Sequence, residues 1–195
     1  DLLWSSFYSV LLKLSSFWHS IDDLSVFDFD ETICHRFDTF QHSIFVENRW
    51  DQWNIALLKY WWIEKYIDYF YFLWKPSKTM IDLVRAKSSM ILTAWIKELQ
   101  LAKINAVWLS DIPKVVVDSW KDKPLRLLKY ILDLWYIPTR IDIYEDRPEY
   151  FLKYWKVLSK LLRTDIYIHH VCFQESEKDP ILLSQTWHII SSQAH

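Results

Sequence analysis

The sequence contains no glycine. Its 195 residues include none, whereas an average chain of this length would carry roughly 14. Glycine is the residue that most easily takes a left-handed backbone conformation, so we expect other residues, such as Asn, Asp and Pro, to build the tight turns. Tryptophan is abundant instead, with 13 copies. Such a composition indicates a sequence built under a constraint, or a reading frame that has drifted from a working ancestor.

Cysteine is also scarce. The two cysteines, Cys34 and Cys172, are too few for a disulfide framework and form no CxxC pair. Their number argues against a structural zinc site and suits a reducing compartment, so we expect an intracellular protein, most simply a cytoplasmic one.

The sequence has no large excess of either charge. Lys and Arg number 23 against 25 Asp and Glu, a net charge of −2, with no block of like charges. This balance excludes an extended electrostatic surface for duplex DNA or an anionic membrane, so any phosphorylated partner has to be bound locally. The length suits one domain with a sizeable core, and the oligomeric state stays open.

The amino-terminal segment, residues 1–23, is apolar but does not have the features of a signal or membrane segment. It lacks a basic leading region, and Lys13, His19 and several serines interrupt it. Helical spacing relates its apolar residues Leu3, Phe7, Val10, Leu11, Leu14 and Phe17. We therefore expect an amphipathic helix packed on the domain. Because residue 1 is Asp, we expect a fragment or a processed product.

The remainder alternates between strand and helix patterns. Strands are predicted at 24–29, 79–84, 104–109, 141–146 and 165–171. Helices are predicted at 55–74, from Ile91 to Leu99, from Leu125 to Trp135 and from Tyr150 to Leu162. This order predicts an α/β domain over 24–190, with a mostly parallel sheet and helices on both faces. Residues 34–78 form a Trp-rich insertion after the first strand.

Acidic residues follow two of the predicted strands. Asp28 and Asp30 end the first, and Glu145 and Asp146 end the fourth. In an open α/β sheet the carboxyl ends of parallel strands share one edge, where ligands bind. Carboxylates meeting there would repel one another unless a cation lay between them, and Mg²⁺ suits such hard oxygen ligands. One carboxylate could attack phosphorus while a second serves as acid and base, with a lysine offsetting the charge.

The motifs resemble a known family. "VFDFDETI" is similar to the first motif, DxDx[TV], of the haloacid dehalogenase (HAD) superfamily of phosphohydrolases. "RIDIYEDRPEYFLKYW" looks more narrowly like the phosphatase-like domain of the fungal Swiss Army Knife RNA repair proteins. Further features of that domain recur in order, over roughly residues 24 to 190: Trp61 and Trp62, Trp120 and Lys121, Ile168 to Val171, and Asp179 with Pro180.

The resemblance implies a three-layer Rossmann-like HAD fold, with residues 34–78 as a cap-like insertion, and it implies a role for each motif residue. Asp28 would be the nucleophile and Asp30 the acid and base, while Thr32 would stabilise the motif turn. Mg²⁺ would be held by the Asp28 carboxylate, the Asp30 backbone carbonyl and Asp146, with Glu145 adjacent. Lys121 is our choice for the phosphate-binding lysine, and Lys123 is the close rival.

One motif of the family departs from its pattern. The second motif is a strand ending in Leu-Thr-Gly-Arg, whose hydroxyl binds the phosphoryl group. When the motif is aligned on Arg85, Leu83 stands where the threonine should be. Ser88 or Ser89 would replace that hydroxyl only if the loop shifted, so the predicted substrate-binding residues are Arg85 and Ser88, together with Thr32 of the first motif. Loss of such a donor can lower the rate about 100-fold or more.

Two functions therefore stay open. The first is an Mg²⁺-dependent phosphohydrolase acting through an aspartyl-phosphate, on an RNA end or another phosphomonoester. The alternative is a non-catalytic or redesigned HAD-like scaffold that keeps the fold.

Simpler interpretations exist for single motifs. Asp28 and Asp30 could cap a turn, and Glu145 to Arg147 could form a salt-bridged surface turn. His169 and His170, neighbours on a strand, face opposite sides and are expected to be structural.

Overall fold

The computed structural model describes residues 18–19, 22–36, 63, 67, 74–134, 136–174 and 179–189. The predicted amino-terminal helix and the Trp61–Trp62 pair lie outside these residues. Of the helix predicted at 55–74, Ile63, Ile67 and Trp74 are described. The first two are helical, whereas Trp74 begins a strand.

Strands and helices alternate along the described chain. The first half comprises β1 (Trp18–His19), β2 (Leu24–Phe27), β3 (Cys34–Arg36), β4 (Trp74–Pro76), α1 (Lys78–Ala86), β5 (Ser89–Ala94), α2 (Lys97–Ala106) and β6 (Lys114–Val117). The second half comprises a 3-10 turn (Trp120–Asp122), α3 (Lys123–Asp133), β7 (Tyr136–Ile137), β8 (Arg140–Glu145), α4 (Glu149–Leu152), α5 (Trp155–Leu162), β9 (Asp165–Phe173) and β10 (Ile181–Ile189).

The central sheet has six strands in the order β10-β9-β8-β2-β5-β6. All neighbouring pairs are parallel except β9 and β10, which are antiparallel. The chain passes from β2 outward through β5 to β6, then crosses back to β8 on the other side of β2. The strand order thus reverses at β2, and in open α/β sheets ligands bind outside the carboxyl ends of the strands at such a point.

Helices cover both faces of the sheet, as predicted. Val26 and Phe27 are neighbours on β2 but belong to different buried clusters, because successive strand residues point to opposite faces. The Phe27 cluster includes α1 and α2 through Met80, Val84, Leu99 and Ile104. The Val26 cluster includes α3 and α5 through Leu127, Ile131, Leu158 and Leu162. None of the helices in the described ranges is long and apolar enough to cross a membrane.

The strand predicted at 79–84 is wrong, because this segment lies in α1. The Ser77 hydroxyl accepts a hydrogen bond from the backbone N–H of Met80 at 3.1 Å, which caps the helix. Met80 and Val84 are buried four residues apart, as one face of a helix requires. A short apolar run does not distinguish a strand from a helix by periodicity alone.

Two predictions after α1 are also wrong. Ile91 and Ala94 were expected in a helix but belong to β5, and only Leu99 of that group is helical, in α2. The strand expected at 104–109 begins instead as the end of α2. The strand that follows α2 is β6, whose β-branched run "VVV" was not identified.

The carboxyl-terminal half is closer to expectation. The structure confirms a helix near Leu125 to Trp135 as α3, with Pro124 in its first turn, and a strand near 141–146 as β8. The helix predicted from Tyr150 to Leu162 is divided into α4 and α5. The strand predicted at 165–171 corresponds to β9 but is not the last, since β10 follows it.

The two ends of the predicted insertion meet. Strand β3 pairs antiparallel with β4, with Cys34 opposite Pro76 and Arg36 opposite Trp74. This two-stranded ribbon brings residues 36 and 74 together. The cap-like role of residues 34–78 stays a prediction.

Among the described residues, four take left-handed backbone conformations that glycine usually occupies. They are Glu31, Trp95, Trp108 and Arg163. Other residues thus occupy these positions, as expected, but none of the four is Asn, Asp or Pro. A residue with a Cβ atom pays about 1–2 kcal/mol in this conformation, so each site stores strain that glycine would remove.

Replacement of Arg163 by glycine should stabilise the protein. Arg163 is exposed and follows α5 with φ 51° and ψ 42°, where glycine is the preferred residue. We expect Arg163→Gly to raise the free energy of unfolding by about 1 kcal/mol, which corresponds to roughly 2–4 °C in Tm.

The matched control for this variant is Lys129→Gly, at an exposed position inside α3. This substitution should lower the free energy of unfolding by about 1 kcal/mol. If thermal unfolding showed the same loss of stability in both variants, the strain at Arg163 would be refuted.

Candidate metal centre

Asp28 lies at the carboxyl end of the central strand. On β2 the preceding residue, Phe27, is in register with Ile91 of β5 on one side and Tyr144 of β8 on the other. The backbone N–H of Asp28 continues the pairing with β8 by donating to the carbonyl oxygen of Tyr144 at 3.0 Å. The Asp28 side chain is buried, with 6% of the residue exposed. The carboxylate is therefore fixed at the point where the strand order reverses.

A tight turn follows Asp28 and carries Asp30 and Thr32. The carbonyl oxygen of Phe29 accepts hydrogen bonds from the backbone N–H groups of Ile33 and Cys34, at 2.9 and 3.1 Å. Thr32 is fully buried in this turn, and its hydroxyl has no hydrogen-bond partner among the described residues. Thr32 thus lies in the motif turn, and its predicted roles in stabilising that turn and in binding substrate stay predictions.

Two further carboxylates reach the same place from β8. Glu145 ends this strand with 2% of the residue exposed, and Asp146 follows it. One carboxylate oxygen from each of Asp28, Glu145 and Asp146 lies within 4.8 Å of the others. We call these residues the acidic trio. The sequence placed their members on two separate strand ends, and the structure brings them together.

A buried lysine holds two members of the trio. Lys123 begins α3 and is fully buried. Its Nζ atom lies 2.8 Å from Oδ2 of Asp28 and 2.8 Å from Oε2 of Glu145, with Oε1 of Glu145 at 3.1 Å. Burial alone would lower the pKa of Lys123, but the charges of Asp28 and Glu145 raise it overall. The ammonium group is therefore charged and shared between the two strand ends.

Lys121, the preferred phosphate lysine, does not take this position. It is exposed in the 3-10 turn before α3. Lys123, the rival candidate, lies only two residues further along the chain. The 3-10 turn points Lys121 outward, whereas the start of α3 points Lys123 inward.

Burial and crowded negative charge raise the pKa values of two members of the trio, Glu145 and Asp146. Burial, and next the charge of Asp28, raise the pKa of Glu145 well above its usual range. The same two causes raise the pKa of Asp146 to about 7. When all three carboxylates are ionised, their charges exceed those of the Lys123 ammonium and of the Arg147 guanidinium, which lies 3.7 Å from Asp146. A divalent cation would balance the remaining negative charge. Hard oxygen donors of this kind suit such an ion, so the trio could hold a metal.

Asp30 does not join the trio with its side chain. Its carboxylate is hydrogen-bonded to the ammonium group of Lys103 and accepts a hydrogen bond from Nε2 of Gln100 at 2.9 Å. Burial raises the pKa of Asp30, whereas the charge of Lys103 works to lower it. Asp28 and Asp30 are thus two residues apart but are held by different lysines.

Sequence reasoning missed three residues near these strand ends. Lys103 and Gln100 lie on α2, between the helix predicted from Ile91 to Leu99 and the strand predicted at 104–109, so their helical spacing was not considered. Thr93 lies on β5, two residues beyond Ile91, and is buried. The run "SMILTA" could have identified Thr93, because its length suits a buried strand and its only threonine is near its end.

Arg85 and Ser88, the predicted substrate-binding residues, lie elsewhere. Both come before β5 starts, and the carbonyl oxygen of Ser88 accepts from the backbone N–H of Ser25, near the start of β2. They are therefore near the amino-terminal ends of β2 and β5, whereas Asp28 lies at the carboxyl end of β2. Arg85 donates to the carbonyl oxygen of Trp108 there. The error follows from assigning α1 as the second strand.

A separate polar cluster surrounds Asp142 on β8. Arg140 donates to both of its carboxylate oxygens, at 2.8 and 2.9 Å, and Nε2 of His169 lies 2.7 Å from Oδ1. Although burial works to raise the pKa of Asp142, these hydrogen bonds lower it to about 2. The neighbouring His170 contacts Cys172 and Ser184 instead, so the two histidines face opposite sides as predicted.

Asp179, part of the Asp-Pro segment noted in the sequence, stabilises α1. Its two carboxylate oxygens accept from the Ser77 hydroxyl at 2.7 Å and from the backbone N–H of Thr79 at 2.8 Å. The contact with Thr79 satisfies an N–H group at the start of the helix, and the contact with Ser77 orients the hydroxyl that caps the N–H of Met80. The segment fixes α1 rather than serving the acidic trio.

Comparisons with known proteins do not assign the chain to a family. No protein-family model matches it, and neither the curated proteins nor the solved structures contain a match.

Proposed function

We propose that the protein is an Mg²⁺-dependent phosphohydrolase of the HAD type that acts through an aspartyl-phosphate on Asp28. The observation that carries the proposal is the buried ammonium group of Lys123, at 2.8 Å from both Asp28 and Glu145. It joins the end of the central strand to the acidic end of β8 at the reversal of strand order. Salt-bridged surface turns would not bury a lysine between two strand ends.

Asp28 is the nucleophile in this proposal. An oxygen lone pair of its carboxylate attacks the phosphorus of a phosphomonoester, and the bond from phosphorus to the leaving oxygen breaks. Asp30 gives that oxygen a proton. A water molecule then attacks the phosphorus of the aspartyl-phosphate while Asp30 takes its proton, and the bond to Asp28 breaks to release phosphate. Two easier displacements replace one difficult displacement.

Lys123 and Thr93 provide the further groups that this chemistry needs. The Lys123 ammonium, charged and fully buried, offsets negative charge next to Asp28. Thr93, near the carboxyl end of β5, takes the place of the hydroxyl residue in the family's second motif, where alignment on Arg85 had put Leu83.

Mg²⁺ fits the donor set, since the trio offers carboxylate oxygens and an unbalanced negative charge. Asp28, Glu145 and Asp146 would hold the ion, together with the backbone carbonyl of Asp30. Bound there, Mg²⁺ would neutralise charge on the phosphoryl oxygens.

The proposed substrate is a phosphomonoester, either a phosphorylated small molecule or an RNA end. The RNA end is favoured only by the resemblance to the Swiss Army Knife domain. The alternative of a non-catalytic or redesigned scaffold depended on a missing hydroxyl and on the lack of glycine. Thr93 is a hydroxyl-bearing residue near the end of β5, so the first of these arguments no longer favours the scaffold.

Asp28→Asn should abolish phosphate release. An amide is a poor nucleophile, so we expect release from 4-nitrophenyl phosphate with Mg²⁺ to fall about 1000-fold or more. The control is Asp133→Asn, an exposed carboxylate at the end of α3, which should keep the wild-type rate. Equal rates in wild type and Asp28→Asn would refute the nucleophile.

Mg²⁺ should stabilise the wild-type protein against heat, because it binds the folded trio and relieves repulsion between its carboxylates. At 100 times the dissociation constant the expected gain is about 2.7 kcal/mol, or roughly 5–10 °C in Tm. Asp146→Asn removes one ligand and should reduce this shift, whereas Asp133→Asn should not. An identical Mg²⁺ shift in wild type and Asp146→Asn would contradict the proposed metal site.

A further inference from the structure

Lys103 is a fully buried lysine outside the acidic trio. It lies on α2, and its ammonium group contacts Asp30. The same group lies 4.4 Å from the ring centroid of Trp74 and 5.6 Å from that of Phe29. Aromatic faces attract a cation, and the carboxylate balances its charge, so the three groups together compensate for its removal from water.

Gln100 provides a second contact to the same carboxylate. Its Nε2 atom donates to Oδ2 of Asp30 at 2.9 Å and to the carbonyl oxygen of Ala94 at 3.0 Å. Ala94 is the last residue of β5. Gln100 therefore connects the Asp30 carboxylate to the end of the neighbouring strand as well as to α2.

Lys103 and Gln100 are three residues apart on α2, so they lie on the same face of the helix. Lys103 contacts Oδ1 of Asp30 and Gln100 contacts Oδ2. Because each oxygen has its own donor, the two contacts fix both the position and the plane of the carboxyl group. We call this pair the α2 clamp.

We propose that the α2 clamp positions Asp30 as the acid for the leaving oxygen and keeps its carboxylate out of the acidic trio. This inference rests on the proposed phosphohydrolase function and adds two positioning residues to it. Asp30 is only two residues from Asp28, and without a partner its carboxylate could turn toward the metal ligands. A general acid contributes only when it is held within hydrogen-bond reach of the oxygen it protonates.

The clamp can be tested through the leaving group of the substrate. An alkoxide is a poor leaving group and needs a proton, whereas 4-nitrophenolate leaves without one. Lys103→Met should therefore lower kcat/KM for 2-glycerol phosphate by about 10- to 100-fold, and for 4-nitrophenyl phosphate by less than about 3-fold. The parameter kcat/KM is the appropriate one because it covers the steps up to departure of the leaving group.

Three further variants complete the test. Lys97→Met, an exposed lysine on the same helix, should leave both values unchanged. Gln100→Leu should show the same preference for the nitrophenyl substrate as Lys103→Met. In an Asp30→Asn background, Lys103→Met should cause no further loss on 2-glycerol phosphate, because the acid is already absent. This double variant also leaves no unpaired charge in place of the Lys103–Asp30 pair, so it addresses any failure of Lys103→Met to fold.

The outcomes separate the two proposals. If wild type releases phosphate but Lys103→Met loses the same factor on both substrates, the positioning role is overturned and the phosphohydrolase function stands. Additive losses in the double variant would also overturn the positioning role. If wild type releases phosphate from neither substrate with Mg²⁺, the proposed function is overturned, and the role of the clamp with it.

Discussion

The buried ammonium group of Lys123 is the interaction on which the acidic end of the sheet depends. Three carboxylates converge there from two strands, and Lys123 is hydrogen-bonded to Glu145 and paired with Asp28. Removal of one partner from a buried ion pair typically costs about 3–5 kcal/mol, because the other charge stays buried and unpaired. Lys123 therefore permits the two strand ends to lie side by side. Its single positive charge does not balance the three carboxylates.

The two aspartates of the motif are fixed from opposite layers of the fold. Lys123 comes from α3, which packs with the Val26 cluster, and holds Asp28. Lys103 comes from α2, which packs with the Phe27 cluster, and holds Asp30. Two carboxylates that are neighbours in sequence thus acquire separate partners and distinct surroundings. Different environments are what allow two similar acids to take different chemical roles.

The sequence predicted those parts of the fold that local patterns specify. Strand β2 and strand β8 are buried runs that end in acidic residues, so their placement at one edge followed from the α/β alternation. The region from 78 to 117 was assigned wrongly, because short apolar runs suit both helix and strand. Ser77, which caps α1, is the signal that distinguishes them. Once α1 was taken for a strand, Thr93, Gln100 and Lys103 were excluded from the site.

The chain forms tight turns without glycine. Glu31, in the motif turn, and Trp95, just after β5, both take left-handed conformations close to the site. Their strain is compensated by the surrounding structure, as in other proteins where unfavourable backbone angles persist. Such positions are not visible in composition, since any residue type can be forced into them by its neighbours.

A crystal structure with Mg²⁺ and beryllofluoride, which mimics a phosphoryl group on an aspartate, tests the central claim most directly. We expect one ion bound by Asp28, Glu145 and Asp146, beryllofluoride on the carboxylate of Asp28, and the Lys123 ammonium group next to it. An ion bound elsewhere, or an Asp28 carboxylate that stays unmodified while Lys123 turns to solvent, would contradict it.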